Sequence, residues 1–168
     1  RFNQPGHEII DHHTYVIASD GDMQEGVQHE AAALAGHLGL GRMTVFYDDN
    51  HISIEGDTAL AMSEDVGKRY EAYGWHVQNL GEDMALERIE EALATARAVE
   101  DKPSLIIVRS HIAIGAPNKQ DTAGAHGTPL AGEGESVTMV GSCWPHDSPV
   151  FVPGGARGTH CSDCVPVR

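Results

Sequence analysis

Residues 14–22 read Thr14-Tyr15-Val16-Ile17-Ala18-Ser19-Asp20-Gly21-Asp22, and residues 43–50 read Met43-Thr44-Val45-Phe46-Tyr47-Asp48-Asp49-Asn50. Each is a short β-rich run that ends in a polar, turn-forming cluster, and a helical stretch from about Met23 to Leu38 is predicted between them. Strand, helix and strand in this order predict parallel pairing through a right-handed crossover. Further along, Ser63 is placed to cap a helix running through Asp65, Arg69 and Tyr73 that Gly74 would stop, and Trp75 to Leu80 reads as a third strand. The clearest helix follows, with Met84, Ile89, Leu93 and Ala96 near one face. Pro103 breaks it before Leu105-Ile106-Ile107-Val108, which is apolar on both faces, as a central parallel strand should be. The expected fold class is α/β, a parallel sheet flanked by helices, with ligands bound beyond the carboxyl ends of the strands.

The chain has 168 residues, enough for one domain with a real core, and its 40% hydrophobic and 21% charged content is that of an ordinary globular protein. Its 25 acidic against 11 basic side chains give a net charge of −14, which argues against a nucleic-acid surface. No run approaches the roughly 18 apolar residues of a membrane span, and no signal-peptide pattern is present, so a cytoplasmic enzyme is the default expectation. The opening at Arg1 suggests a fragment. All three cysteines, Cys143, Cys161 and Cys164, fall near the end of the chain. With only Cys143 and His146 as further ligands, the His160-Cys161-Ser162-Asp163-Cys164 run reads better as part of an irregular tail than as a zinc site. Residues 111–132, rich in Gly, Ala, Pro and polar side chains, read as a long functional loop.

The chemistry is expected at the two strand ends quoted first. Asp20 and Asn50 both lie at carboxyl ends of candidate strands separated by one helix, so side-by-side parallel strands would bring two oxygen donors into one crevice. Gly21 would let backbone N–H groups approach a phosphate, and a helix starting near Met23 would add the positive end of its dipole. Such oxygen donors suit Mg²⁺, which completes its octahedral shell with substrate phosphates and water. A lone Asp-Gly is usually only a turn. The spacing, the paired strand ends and the helix that follows together favour a diphosphate–metal site.

Ser19-Asp20-Gly21 followed by Asn50 resembles the thiamine-diphosphate motif, Gly-Asp-Gly and then Asn about thirty residues on. More narrowly, several runs resemble transketolases: Asp11-His12-His13-Thr14-Tyr15, Leu34-Ala35-Gly36-His37-Leu38-Gly39-Leu40, Phe46-Tyr47-Asp48-Asp49-Asn50-His51-Ile52-Ser53-Ile54, Tyr70-Glu71-Ala72-Tyr73-Gly74-Trp75-His76-Val77 and Pro117-Asn118-Lys119. His126-Gly127 with Pro129-Leu130 ends the series. The resemblance covers residues 1–132, read as the central part of a cofactor-binding domain, and leaves 133–168 as a tail unlike the family.

It implies thiamine diphosphate as cofactor, with Mg²⁺ or Ca²⁺ held by Asp20, the Asn50 side chain and the Ile52 carbonyl. Gly21 would lie against the diphosphate, Ile54 and Ile114 against the cofactor rings, and His126 near the reacting centre as a catalytic group for charge or proton transfer. Glu25 and Glu30 would face their counterparts across a homodimer interface. The activity implied is transfer of a two-carbon ketol unit between sugar phosphates. Two departures stand out. Ser19 replaces the motif's first glycine, and the segments expected to supply further histidines and the activating glutamate are absent, so the isolated chain is expected to be inactive. The alternatives are a non-catalytic remnant, one subunit of a split enzyme, or another thiamine-diphosphate enzyme such as 1-deoxyxylulose-5-phosphate synthase. An unrelated nucleotide-binding domain would be expected to carry a Gly-x-Gly-x-x-Gly fingerprint, which is lacking.

Overall fold

The computed structural model describes residues 2–116 and 118–129. The cysteine-bearing tail, and the reading of it given above, lies outside the described residues. In chain order the elements are β1 (Thr14–Ser19), α1 (Asp20–Gln24), α2 (Gly26–His37), β2 (Met43–Asp49), β3 (Ile52–Ser53), β4 (Gly56–Asp57), α3 (Val66–Ala72), β5 (His76–Asn79), α4 (Leu86–Ala98) and β6 (Ser104–Arg109). Single 3-10 turns follow β4 and β6.

Four strands form a parallel sheet in the order β1-β2-β6-β5. The parallel sheet flanked by helices is therefore as expected. Its apolar run 105–108 lies in an inner strand, with Leu105 and Ile106 fully buried. The sheet buries both faces unequally. Val16, Ala18, Val45, Tyr47, Leu105 and Ile107 face Ala32 and Ala35 of α2 and Val66 and Tyr70 of α3. Trp75 closes that side, its indole N–H donating to the Ala32 carbonyl at 2.8 Å. The close approach of α2 to the end of α3 requires Gly36, where an added Cβ would stand 1.9 Å from the Tyr73 carbonyl oxygen. On the other face Ile106 and Val108 pack under Ala92 and Ala96 of α4. Alternation puts Ile17 of β1 on this second face, where it is 82% exposed.

Local readings needed three corrections. The helix expected from Met23 to Leu38 is two helices, because Glu25 is extended (φ −70°, ψ 133°). The break lets α1 bury Met23 while α2 separately turns its alanines to the sheet, a tertiary demand that a good helix former such as Glu does not announce. Asp65, not Ser63, caps α3, its carboxylate accepting from Lys68 N–H at 3.0 Å. Both residue types are good caps, so the local pattern does not rank them. Finally, α4 begins at Leu86, leaving Met84 before the helix and exposed.

The described residues divide into two compact units, one of residues 2–51 with 58–110, the other of residues 52–57 with those described from His111 onward. The first contains the whole parallel sheet. The second holds the β3–β4 hairpin, an antiparallel pair in which Ile52 faces Asp57.

Candidate functional site

In the first unit, β1 and β2 pair with Ser19 opposite Asp48. Asp20 and Asn50 thus follow neighbouring strand ends, and the structure brings them together as the spacing predicted. Asp20 Oδ2 accepts from the backbone N–H groups of Asn50 (3.0 Å) and His51 (2.9 Å). Its Oδ1 accepts from the Tyr47 hydroxyl at 2.6 Å. The carboxylate is only 1% exposed. Burial is the largest influence on it and pushes its pKa up, Tyr47 and the two backbone donors pull it down, and neighbouring Asp49 adds a further upward push. Burial likewise pushes the Tyr47 phenol far above its ordinary range, with Asp20 contributing in the same direction, so Tyr47 acts as a donor.

Asn50 is itself buried and uses Nδ2 to donate to Asp48 Oδ2 at 3.2 Å. The other Asp48 oxygen accepts the Ser110 hydroxyl. Tyr47, Asp48 and Ser110 were not singled out from sequence. The alternation of β2 gave no hint that Tyr47 reaches back to Asp20, and Ser110 reaches Asp48 only because β6 lies beside β2.

Around Gly21 two expectations change. Ser19 occupies an extended conformation (φ −114°) that any residue adopts, so the fold does not demand the motif's usual glycine there. Ser19 instead holds Asp22, whose Oδ2 accepts from the Ser19 N–H at 2.8 Å and its hydroxyl at 3.2 Å. The helix that follows is five residues long and carries Asp20 and Asp22 in its first turn. The helix-dipole help expected near Met23 is therefore slight. At Gly21 an added Cβ would meet no atom within 4 Å. Among the described residues nothing fills that space, which leaves room for a closely approaching ligand.

The oxygen chemistry fits a divalent cation. Asp20 is a buried carboxylate with a second carboxylate nearby, and among the described residues no Lys, Arg or His forms an ion pair with it. Hydrogen bonds offset only part of the cost of a buried charge with no cationic partner, and a hard cation is the natural remedy. No group of three or more His, Cys, Asp or Glu side chains gathers for a metal among the described residues.

The other predicted residues belong to the second unit. Ile52 lies in β3, while Ile54 (71% exposed) and Ile114 (62%) present apolar side chains to the surface. His126 follows the 3-10 turn Ala123–Ala125 and is exposed. The long loop is internally tied. His111 Nδ1 meets the Asp121 carboxylate at 2.9 Å, the Asp121 N–H donates to the Ile112 carbonyl at 3.1 Å, and Lys119 Nζ donates to Gly124 O at 2.8 Å. Among the described residues no helix is long and apolar enough to cross a membrane.

The family described as transketolase, thiamine diphosphate binding domain, matches residues 1–155. A transketolase of Nostoc sp. is 51% identical over 154 residues, 91% of this chain and 23% of the relative. A chloroplastic transketolase of Zea mays is 48% identical over 156 residues, again 91% of this chain and 23% of the relative. The chain thus spans about a quarter of the length of these relatives. Among solved structures, a transketolase mutant from Pichia stipitis superposes with a TM-score of 0.85 at 38% identity, covering 91% of this chain and 23% of that one. A Pichia stipitis transketolase in complex with sedoheptulose-7-phosphate gives 0.77 at 41% identity, covering 83% and 21%. With its paired strand ends, its parallel sheet and this match over most of its length, the chain belongs to the transketolase family, in its thiamine-diphosphate-binding domain.

Proposed function

We propose that this chain binds thiamine diphosphate with a divalent cation, Mg²⁺ or Ca²⁺, as part of an enzyme transferring a two-carbon ketol unit between sugar phosphates. The observation that carries the reading is Asp20, a carboxylate buried between adjacent parallel strand ends with no cationic partner among the described residues. Asp20, the Asn50 side chain and the Ile52 carbonyl would hold the metal. Open space at Gly21 would receive the diphosphate, and the exposed Ile54 and Ile114 would offer apolar surface to the rings. His126 would neutralise charge or move a proton at the reacting centre. When bound, the cofactor supplies the electron sink for the carbanion chemistry.

Residues 1–132 are read as the central part of the diphosphate-binding domain, and the family match itself runs on to residue 155. A homodimer, or a complementing second domain, belongs to the same proposal. The outer side of α2 exposes Val27 and Leu34, with Leu38 just beyond it, next to Glu25 and Glu30. Apolar residues spaced 7 and 4 apart form a seam suited to a partner helix. A second reading is one subunit of a split enzyme or a non-catalytic remnant. Mixing the chain with the complementary segments of a relative and assaying ketol transfer separates these two.

Calorimetric titration with thiamine diphosphate, with and without Mg²⁺, tests the binding. Metal-dependent heat is expected from the wild-type chain and none from Asp20→Ala. A folded wild-type chain giving no such heat would refute cofactor binding by this chain.

A further inference from the structure

Asp48 stands between two groups at the strand ends. Its Oδ2 accepts from Asn50 Nδ2 at 3.2 Å, and its Oδ1 accepts the Ser110 hydroxyl. Ser110 is the residue just after β6 and is buried. It is fixed from two directions. Its N–H donates to the Asp49 carbonyl at 3.2 Å, and Arg109 Nη1 donates to the Asp49 carbonyl at 3.1 Å and to the Ser110 carbonyl. Arg109 therefore stitches the ends of β2 and β6, and Ser110 is delivered to Asp48 by that stitch.

A side-chain amide has a donor end and an acceptor end. With Asn50 Nδ2 engaged by Asp48, Oδ1 is the end turned away from it. An amide rotated by half a turn would offer N–H hydrogens to a cation and repel it. We propose that Asp48, anchored by Ser110, is a positioning residue that holds the Asn50 amide in the one orientation able to ligate a divalent cation. The inference rests on the reading of Asp20 and Asn50 as metal ligands.

Asp48 has two separable ways to act. Its charge would attract any nearby cation regardless of amide orientation, whereas its role as acceptor needs only an oxygen in the same place. Asp48→Asn removes the charge and keeps a carbonyl acceptor, Asp48→Ala removes both, and Ser110→Ala keeps the charge but loosens the anchor. The test titrates Mg²⁺ calorimetrically into the 168-residue chain with thiamine diphosphate present, for wild type and the three variants. In parallel, the Asn50 side-chain amide signals are followed by NMR in the metal-free protein.

Asp48→Ala is expected to weaken Mg²⁺ binding about tenfold or more, as for partners that orient metal ligands elsewhere. Asp48→Asn should recover most of that loss, and Ser110→Ala should fall between. In wild type the two Asn50 Nδ2 protons should differ widely in shift, and Ser110→Ala should narrow the difference. Equal losses in Asp48→Asn and Asp48→Ala would assign the effect to charge and overturn the proposal. So would unchanged affinity in Ser110→Ala together with an unchanged Asn50 signal, a result that stands even if Asp48→Ala does not fold. Absence of metal-dependent heat in wild type overturns the ligand reading and this inference together, whereas heat in wild type with unaltered variants overturns this inference alone.

Discussion

The Tyr47 hydroxyl donates a 2.6 Å hydrogen bond to Asp20 Oδ1, joining residues 27 positions apart. Tyr47 comes from the middle of β2 and Asp20 from just beyond β1, so the bond fastens the end of one strand to its neighbour. It also occupies one oxygen of the carboxylate on which the proposed metal site depends.

Tyr47→Phe should therefore destabilise the metal-free protein by about 1–3 kcal/mol, because a buried acceptor loses its donor while the ring still fills its place. Urea denaturation monitored by Trp75 fluorescence measures it. A loss below about 0.5 kcal/mol would mean that water replaces the phenol at Oδ1.

Asp20 should also make stability depend on pH in a definable direction. Burial raises its pKa above the ordinary 3.8, so between that value and the raised one the folded state binds more protons than the unfolded. Stability contributed by the protonated carboxyl is complete below the ordinary value and is lost as pH rises through the raised one. Asp20→Asn should remove this component, leaving the metal-free variant more stable than wild type at neutral pH, with the difference vanishing in acid. Denaturation curves across this window measure the effect. A variant destabilised at neutral pH would show that the native carboxylate is already compensated.

His51 adopts φ 63°, a left-handed conformation that costs a non-glycine residue about 1 kcal/mol. Its ring approaches Asp49 at 3.2 Å but is half exposed, so that contact returns little. His51→Gly should raise the thermal midpoint by about 4 °C in a scanning experiment. A lowered midpoint would assign the imidazole a structural role that its exposure does not suggest.

Two glycines should respond oppositely to the same change. Gly36→Ala drives a Cβ to 1.9 Å from a backbone oxygen and should cost about 1–3 kcal/mol or more. Gly21→Ala meets no protein atom within 4 Å and should leave the denaturation midpoint unchanged or slightly higher. Its effect should appear only in weaker thiamine-diphosphate binding by calorimetry. Unaltered binding would remove Gly21 from the diphosphate's surroundings.

The parts legible in the amino-acid order were those set by periodicity and chain direction. The doubly apolar 105–108 run marked an inner strand, and a strand–helix–strand order placed Asp20 and Asn50 at adjacent ends. The motif's partners were not legible. Ser110 meets Asp48 across 62 residues, through a sheet order in which β6 sits beside β2 rather than after β5. No local pattern encodes that choice. The break at Glu25 escaped for a related reason, since it answers to the burial of Met23 and not to any weakness in the helix sequence. The cap of α3 was misplaced at Ser63 because Ser and Asp are both good caps, and only the turn itself put Asp65 in reach of the Lys68 N–H.

The bare side of β1 has a practical consequence. Among the described residues this strand has β2 as its single neighbour, and it shows Ile17 to solvent. A free strand border with an apolar side chain is a template for another strand. Expressed by itself at high concentration, the chain should polymerise slowly through β1, and Ile17→Lys should keep it in solution without disturbing the buried interior. Any element or partner that paired with β1 would thus serve also as a guard against fibres.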